Sequence, residues 1–326
     1  MKFFEFKTSK SNKVYRIPNS WEALTPNQYR YLITLIDRYA SGKLSIAMAR
    51  VYFVCYVMSW SVKRIKDEDA LANVYYLSEN ITFLFKIKYD EGVFDGLSMA
   101  EKKLCRTTMP EKLPVHLKRF LSKYKYKFVL KDCFCAQLVP EIKVGETVLL
   151  GYRISCGFDE LTCSLTALQY IEASRLIGSE GRENLLPLLA AILYFPEKEY
   201  DSEKAQELAF KLVDVPVQTL HAISFNFSSI SNFIFLHTHF RLLTMSTLKN
   251  NSTIVNGPLE SLYNLCEDGV GNYDKVENMN LITYLTLVRK KLISSIQSLS
   301  SAGMKLPEIE KESGLPIDVI TEIIKS

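Results

Sequence analysis

The sequence predicts an α+β chain that is predominantly α-helical, with two related strand–helix–helix units and a helical C-terminal segment. Three observations lead there. The 326 residues include only 13 glycines and 11 prolines; sparse turn-formers mean long elements, which favours helices over many short strands. Apolar residues recur at helical spacing over several stretches. Finally, a block near the N-terminus returns past the midpoint. Tyr15-Arg16-Ile17, Trp21-Glu22-Ala23-Leu24-Thr25 and Gln28-Tyr29 are echoed by Tyr152-Arg153-Ile154, Phe158-Asp159-Glu160-Leu161-Thr162 and Leu165-Thr166-Ala167-Leu168-Gln169-Tyr170, with one gap of four residues. Such self-similarity is the signature of an internal duplication.

With 48% hydrophobic and 23% charged residues the chain can build a real core, and its length suits about two domains. The expected organisation is an N-terminal unit over 1–95 and a basic connecting region with short strands over 96–146. A second, repeat-like unit follows over 147–248, and an Asn-rich hinge with C-terminal helices over 249–326.

In chain order, residues 2–7 and 13–17 are aromatic and β-branched and read as a hairpin, closed by Pro18. Ser20 or Thr25 can cap the helix that follows, with Pro26 in its first turn. Tyr29, Leu32, Ile33 and Ile36 form its apolar face, Ser41-Gly42 breaks it, and a second helix covers 45–60. Residues 81–89 and 124–130 have strand character, interrupted between them by Met109-Pro110 and Leu113-Pro114. In the second copy, 147–154 reads as a strand and 165–176 as a helix; Gly178 to Gly181 is a break and 184–195 an apolar helix. Asp201 caps a helix to about 213, and Val215-Pro216 opens the next, carrying Leu220, Ile223, Phe227, Ile230, Phe233, Ile234 and Phe240. Residues 249–280 are Asn-rich and read as loop; 281–299 is a helix, and a short helical pair ends the chain.

The start, Met1-Lys2-Phe3-Phe4-Glu5-Phe6-Lys7, is too short and too charged for a signal peptide. The most apolar stretch, 217–245, is interrupted by Gln218, His221, Asn226, Asn232, His237, His239 and Arg241, so it reads as a buried helix or helix pair rather than a membrane span. Seven cysteines, at 55, 105, 133, 135, 156, 163 and 266, lack framework spacing and fit reduced thiols. The expected setting is therefore cytosolic.

Candidate chemistry is limited. Residues 306–324 resemble a helix-turn-helix, with Ile309, Gly314, Leu315, Ile320 and Ile323 at the positions of its core and turn. Glu310, however, stands where the motif wants a small residue. The second helix offers Asp318, Thr321 and Glu322 with only Lys325, and residues 301–326 sum to −2, which would repel phosphate. A hairpin for packing or partner docking is the expectation.

Net charge is only +4, but residues 101–131 hold ten Lys or Arg against two Glu. Within that segment Lys123-Tyr124-Lys125-Tyr126-Lys127-Phe128 alternates basic and aromatic residues. Strand period two would put lysines on one face and rings on the other. A nucleic-acid platform wants both on one surface, so the alternation favours a lysine-guarded edge strand. If nucleic acid is bound, the contacts are Lys118, Arg119, Lys123, Lys125, Lys127 and Lys131.

Cys133-Phe134-Cys135 and His237-Thr238-His239 have one-residue spacers, unlike zinc knuckles. On a helix the two histidines would point about 200° apart. No Gly-Lys-Ser/Thr phosphate loop, G-x-S-x-G elbow or H-E-x-x-H motif occurs. The expectation is no enzyme, no catalytic residue, no metal and no cofactor.

The opening Ile17-Pro18-Asn19-Ser20-Trp21-Glu22-Ala23-Leu24-Thr25-Pro26-Asn27-Gln28-Tyr29 resembles proteins from phages and prophages of Bacteroides-type gut bacteria. The likeness covers the first 60 residues, with an echo at Leu189-Ala190-Ala191-Ile192-Leu193-Tyr194-Phe195-Pro196. Such proteins lie among tail and virion-assembly genes. The resemblance implies a structural or assembly role with other phage proteins as partners, and it supplies no catalytic residue. The expected function is a non-enzymatic phage structural or assembly protein acting through protein–protein contacts. The alternative is a nucleic-acid-binding accessory protein using the basic segment and the helix-turn-helix-like C-terminus.

Overall fold

A computed structural model describes residues 2–8, 11–61, 67–90, 92–108, 110–157, 160–245 and 258–325. The chain is α+β and predominantly helical, its strands forming antiparallel pairs. It divides into two compact units, residues 1–132 and 133–326. Strands on either side of residue 95 pair with each other within the first unit.

The first unit opens on β1 (Phe3–Thr8) and β2 (Ser11–Pro18), an antiparallel pair with Phe6 opposite Tyr15 and Phe4 opposite Ile17. A 3-10 turn at Trp21–Ala23 leads to α1 (Pro26–Ala40). Thr25 caps α1 by a reciprocal box: its hydroxyl accepts from the Gln28 amide, and the Gln28 side chain accepts from the Thr25 amide. Ser20 makes no such cap. Helix α1 buries Tyr29, Leu32, Ile33 and Leu35 and stops at Ser41, before Gly42, whose φ of +71° suits glycine. Ser45 caps α2 (Ile46–Val57), which packs on α1 and on α3 (Glu68–Ser78). The sequence reading assigns no element to 68–78. Only Val74 and Ser78 of α3 are buried, so its periodic signal is weak.

Strands β3 (Phe85–Tyr89) and β4 (Tyr126–Leu130) pair antiparallel, and the chain between them forms α4 (Met99–Thr107) and α5 (Val115–Leu121). Together they enclose a core of Ile87, Tyr89, Val93, Cys105, Leu113, Leu117 and Leu121, with Phe128 packed against it. The indole of Trp21 donates to the Lys131 carbonyl at 2.7 Å, tying the turn before α1 to the end of β4.

In the second unit, β5 (Glu141–Val144) pairs with β6 (Thr147–Leu150) and β7 (Ile154–Cys156) with β8 (Leu161–Cys163). Then come α6 (Ala167–Gly178), a 3-10 turn at Arg182–Leu185, α7 (Leu186–Leu193), α8 (Ser202–Lys211) and α9 (Val217–His237). Asp201 caps α8, as its position suggests. The apolar stretch 217–245 is α9 followed by a 3-10 turn, His239–Thr244, with Leu220, Ile223, Phe227, Ile230, Ile234 and Phe240 buried. Asn226, also buried, uses its amide to hold an extended segment. Its Oδ1 accepts from the Leu138 amide at 3.2 Å and its Nδ2 donates to the Ala136 carbonyl at 2.8 Å.

Of the stretch read as an Asn-rich loop, 249–257 lies outside the described residues, and two helices occupy much of the rest. These are α10 (Pro258–Glu267) and α11 (Tyr273–Glu277), anchored by buried Leu262, Leu265 and Val276. Helix α12 (Leu281–Ser301) packs against α13 (Leu306–Ser313) and α14 (Ile317–Lys325). Ile309, Leu315, Ile320 and Ile323 share a core with Leu292 and Ile296 of α12, and Gly314 takes φ +66° at the turn.

Strand, capped helix, break and helix recur in the two copies. The equivalence shifts, however. Thr166, not Thr162, forms the second capping box, with Gln169 as its partner. Thus Leu24-Thr25 corresponds to Leu165-Thr166, each a buried leucine before a capping threonine. Leu161-Thr162 belongs instead to β8, in the place of the first copy's 3-10 turn. Phe158 and Asp159 lie outside the described residues. The strand expected over 147–154 is split at Gly151, where a Cβ would come within 2.9 Å of the Tyr194 ring. Among the described residues no helix is long and apolar enough to cross a membrane.

Candidate nucleic-acid interface

The β3–β4 pair has one covered face and one open face, and the register assigns each side chain. Tyr89 lies opposite Tyr126, Ile87 opposite Phe128 and Phe85 opposite Leu130; of these, Ile87, Tyr89 and Phe128 pack in the core between the sheet and the helices. On the other side Lys88 lies directly opposite Lys127 and Lys86 opposite Val129. The three lysines are exposed.

Strand alternation starts only at Tyr126, because 122–124 form a turn after α5. Lys118 and Arg119 on α5, and Lys123, Lys125 and Lys127 beyond it, are all exposed. The expectation that Tyr124, Tyr126 and Phe128 pack inward holds for Phe128 alone. Tyr124, outside the strand, keeps 41% exposure, and Tyr126, at the strand's end, keeps 38%. Phe120 is 37% exposed and tilts against Tyr124 at 5.8 Å between centroids; Tyr126 meets Phe128 edge-on at 5.7 Å. Exposed cations and partly exposed rings thus alternate along the rim formed by α5, the turn and the first residues of β4.

Lys131 has a different environment from the other five sequence candidates. Its ammonium donates to the Thr82 carbonyl at 2.8 Å and is half-buried. Burial, then the nearby charges of Arg50 and Lys86, push its pKa below the ordinary lysine value. Arg50 and Lys86 were not singled out in the sequence. The signal was present: Phe85-Lys86-Ile87-Lys88-Tyr89 carries the same period-two lysines as 124–128, and pairing the two runs brings both sets to one face.

Charge divides with the fold. Residues 1–132 carry 24 Lys or Arg against 13 Asp or Glu, net +11, whereas residues 133–326 carry 16 against 23, net −7. A unit of +11 attracts polyanions over the range set by the Debye length.

The remaining candidates offer less. The exposed residues of α13 and α14 include Glu308, Lys311, Glu312, Asp318, Glu322 and Lys325, an acidic set on a well-packed pair. His237 stacks on Phe233, and His239 lies beside Phe240 with its pKa lowered by burial and by Arg289. Among the described residues no group of three His, Cys, Asp or Glu side chains could hold a metal ion. An open cleft beside α12 is lined by Asp268, Lys291, Ser294, Ser295 and Ser298, and in it Lys291 pairs with Asp268 at 2.6 Å. Glu172 accepts from the Tyr200 hydroxyl and, at 2.6 Å, from Ser202, a set of contacts that fixes α6 to the start of α8. Comparison with family models, curated proteins and solved structures finds no match to this chain.

Proposed function

We propose that this chain is a non-enzymatic accessory protein of phage assembly that binds single-stranded nucleic acid through the α5–β4 rim. The observation that supports this reading is the half-exposed pair Tyr124 and Tyr126 interleaved with exposed Lys123, Lys125 and Lys127. Stacking rings with cations that track a backbone is the combination sequence-independent single-strand binders use. The phage context comes from the resemblance of the first 60 residues. The test is fluorescence anisotropy with an oligo-dT probe over a salt series. The triple variant K123Q/K125Q/K127Q should lower the salt slope by about two units, at roughly 0.7 per lost contact. Absence of binding at about 50 mM salt, in the range where phosphate contacts are strongest, would overturn the reading.

A second reading, assembly through protein contacts, is favoured by one apolar corner of the second unit. Phe210, Val213 and Val217, at the junction of α8 and α9, are 81%, 63% and 48% exposed. Exposed apolar surface of this kind marks protein-interaction sites. Sedimentation or a pull-down with the neighbouring phage gene products should lose the complex in Phe210→Asp; an unchanged complex counts against this corner.

A further inference from the structure

The open face of the β3–β4 sheet carries lysines that form no ion pair among the described residues. Lys88 and Lys127 stand directly opposite, an arrangement that destabilises a sheet. Lys86 is diagonal to Lys127 on one side. On the other side the ladder continues past β4, where the Lys131 amide donates to the Leu84 carbonyl at 2.8 Å, so Lys131 is diagonal to Lys86 as well. Diagonal neighbours lie about 7–8 Å apart at the backbone, well within reach of long side chains converging on one group. Arg50 comes from α2.

Each of these groups is poorly compensated. The Nε of Arg50 is buried and finds no hydrogen-bond acceptor among the described residues. Burial lowers its pKa, opposed by Glu79, which is itself ion-paired with Lys112. Lys131 is depressed by burial and by Arg50 and Lys86, so both of those charges lie within electrostatic reach of Lys131. Among the described residues no ion pair reaches Arg50, Lys86, Lys88, Lys127 or Lys131. Holding desolvated like charges together is unfavourable unless a counter-charge joins them.

We propose that Arg50, Lys86 and Lys131 form a seat for a phosphoryl oxyanion, approached along the Lys88–Lys127 rung. The guanidinium offers paired donors suited to phosphate oxygens, and the two ammoniums supply charge from the sheet side. The chemistry fits a backbone phosphate of nucleic acid and a free phosphate or pyrophosphate equally. The seat shares only Lys127 with the rim that would stack bases, and a ligand without bases can fill it, so it stands or falls apart from the single-strand reading.

The experiment titrates inorganic pyrophosphate into the full chain, followed by amide chemical shifts and by thermal midpoint. Wild type should bind, with shifts at residues 50, 86 and 131. R50Q and K86Q should each weaken binding at least about tenfold, the loss expected for a charge-assisted hydrogen bond. Lys86 is exposed, so K86Q keeps the test valid if R50Q compromises folding. No binding at millimolar pyrophosphate, or binding that K86Q leaves unchanged, overturns the seat. Oligo-dT is then added to the pyrophosphate complex: displacement assigns the seat to backbone phosphate, and retention assigns it to a free phosphate compound. The seat holds in both cases. Oligo-dT binding that K123Q/K125Q/K127Q abolishes, with no pyrophosphate site in wild type, would leave the rim reading standing and the seat overturned.

Discussion

Gly151 has no side chain because Tyr194 occupies the space where one would be. A Cβ at that position would stand 2.9 Å from Cε1 of the ring and 3.3 Å from Nε2 of Gln137. The ring cannot give way freely, since its hydroxyl donates to the Val139 carbonyl on the extended segment that Asn226 also holds. Overpacking of this kind costs about 1–3 kcal/mol. Gly151→Ala is therefore expected to lower the urea midpoint by a corresponding amount with an unchanged slope, and an unaltered midpoint would show that the ring is not fixed. Little of this was legible in the sequence. A glycine inside a strand pattern signals a break, and the strand does split there, but the ring that forces it arrives from 43 residues further along the chain. Asn226 was equally opaque: within an apolar run it reads only as an interruption, whereas its amide satisfies two backbone groups of a segment with no ladder of its own.

At the scale of elements, signals local to a few residues were readable and signals that depend on partners were not. The caps at Thr25 and Asp201, the C-terminal pair α13–α14 and the hairpin β1–β2 follow from side chains acting within four residues or from strict periodicity. Helices α4 and α5 were hidden because Met109-Pro110 and Leu113-Pro114 look like punctuation, although Pro114 stands at the N-cap of α5 and Pro110 opens a 3-10 turn. Helix α10 begins at Pro258, immediately after Asn-Gly, and its two buried leucines are too few to outweigh a loop-like composition. The second copy was aligned on the wrong Leu-Thr because two such pairs occur four residues apart, and only the cap bonds distinguish them. The rim follows the same rule. Alternation in the sequence begins at Lys123, but the turn after α5 delays the strand to Tyr126, leaving Tyr124 outside the pleat.

For the whole molecule, the segregation of charge carries a consequence that no single residue shows. Overall the chain is nearly neutral at +4, yet its first unit is +11 and its second −7. Each unit has its own apolar core, one around Leu117 and Leu121, another around Ile296 and Ile320. Fragments 1–132 and 133–326 are therefore expected to fold separately, each with a cooperative thermal transition. Near pH 7 the first should bind a cation exchanger and the second an anion exchanger. If the rim and the sheet face contact nucleic acid, affinity belongs to the first fragment, and that fragment should bind oligo-dT more tightly than the full chain, because removing the acidic unit removes its repulsion. The gap should be widest near 0.01 M salt, where the Debye length is about 30 Å, and small at 0.15 M, where it is about 8 Å. A first fragment that folds but binds no better than the full chain at low salt would mean that the acidic unit does not reach the bound strand. Binding that follows the second fragment would transfer the interface away from the β3–β4 sheet altogether.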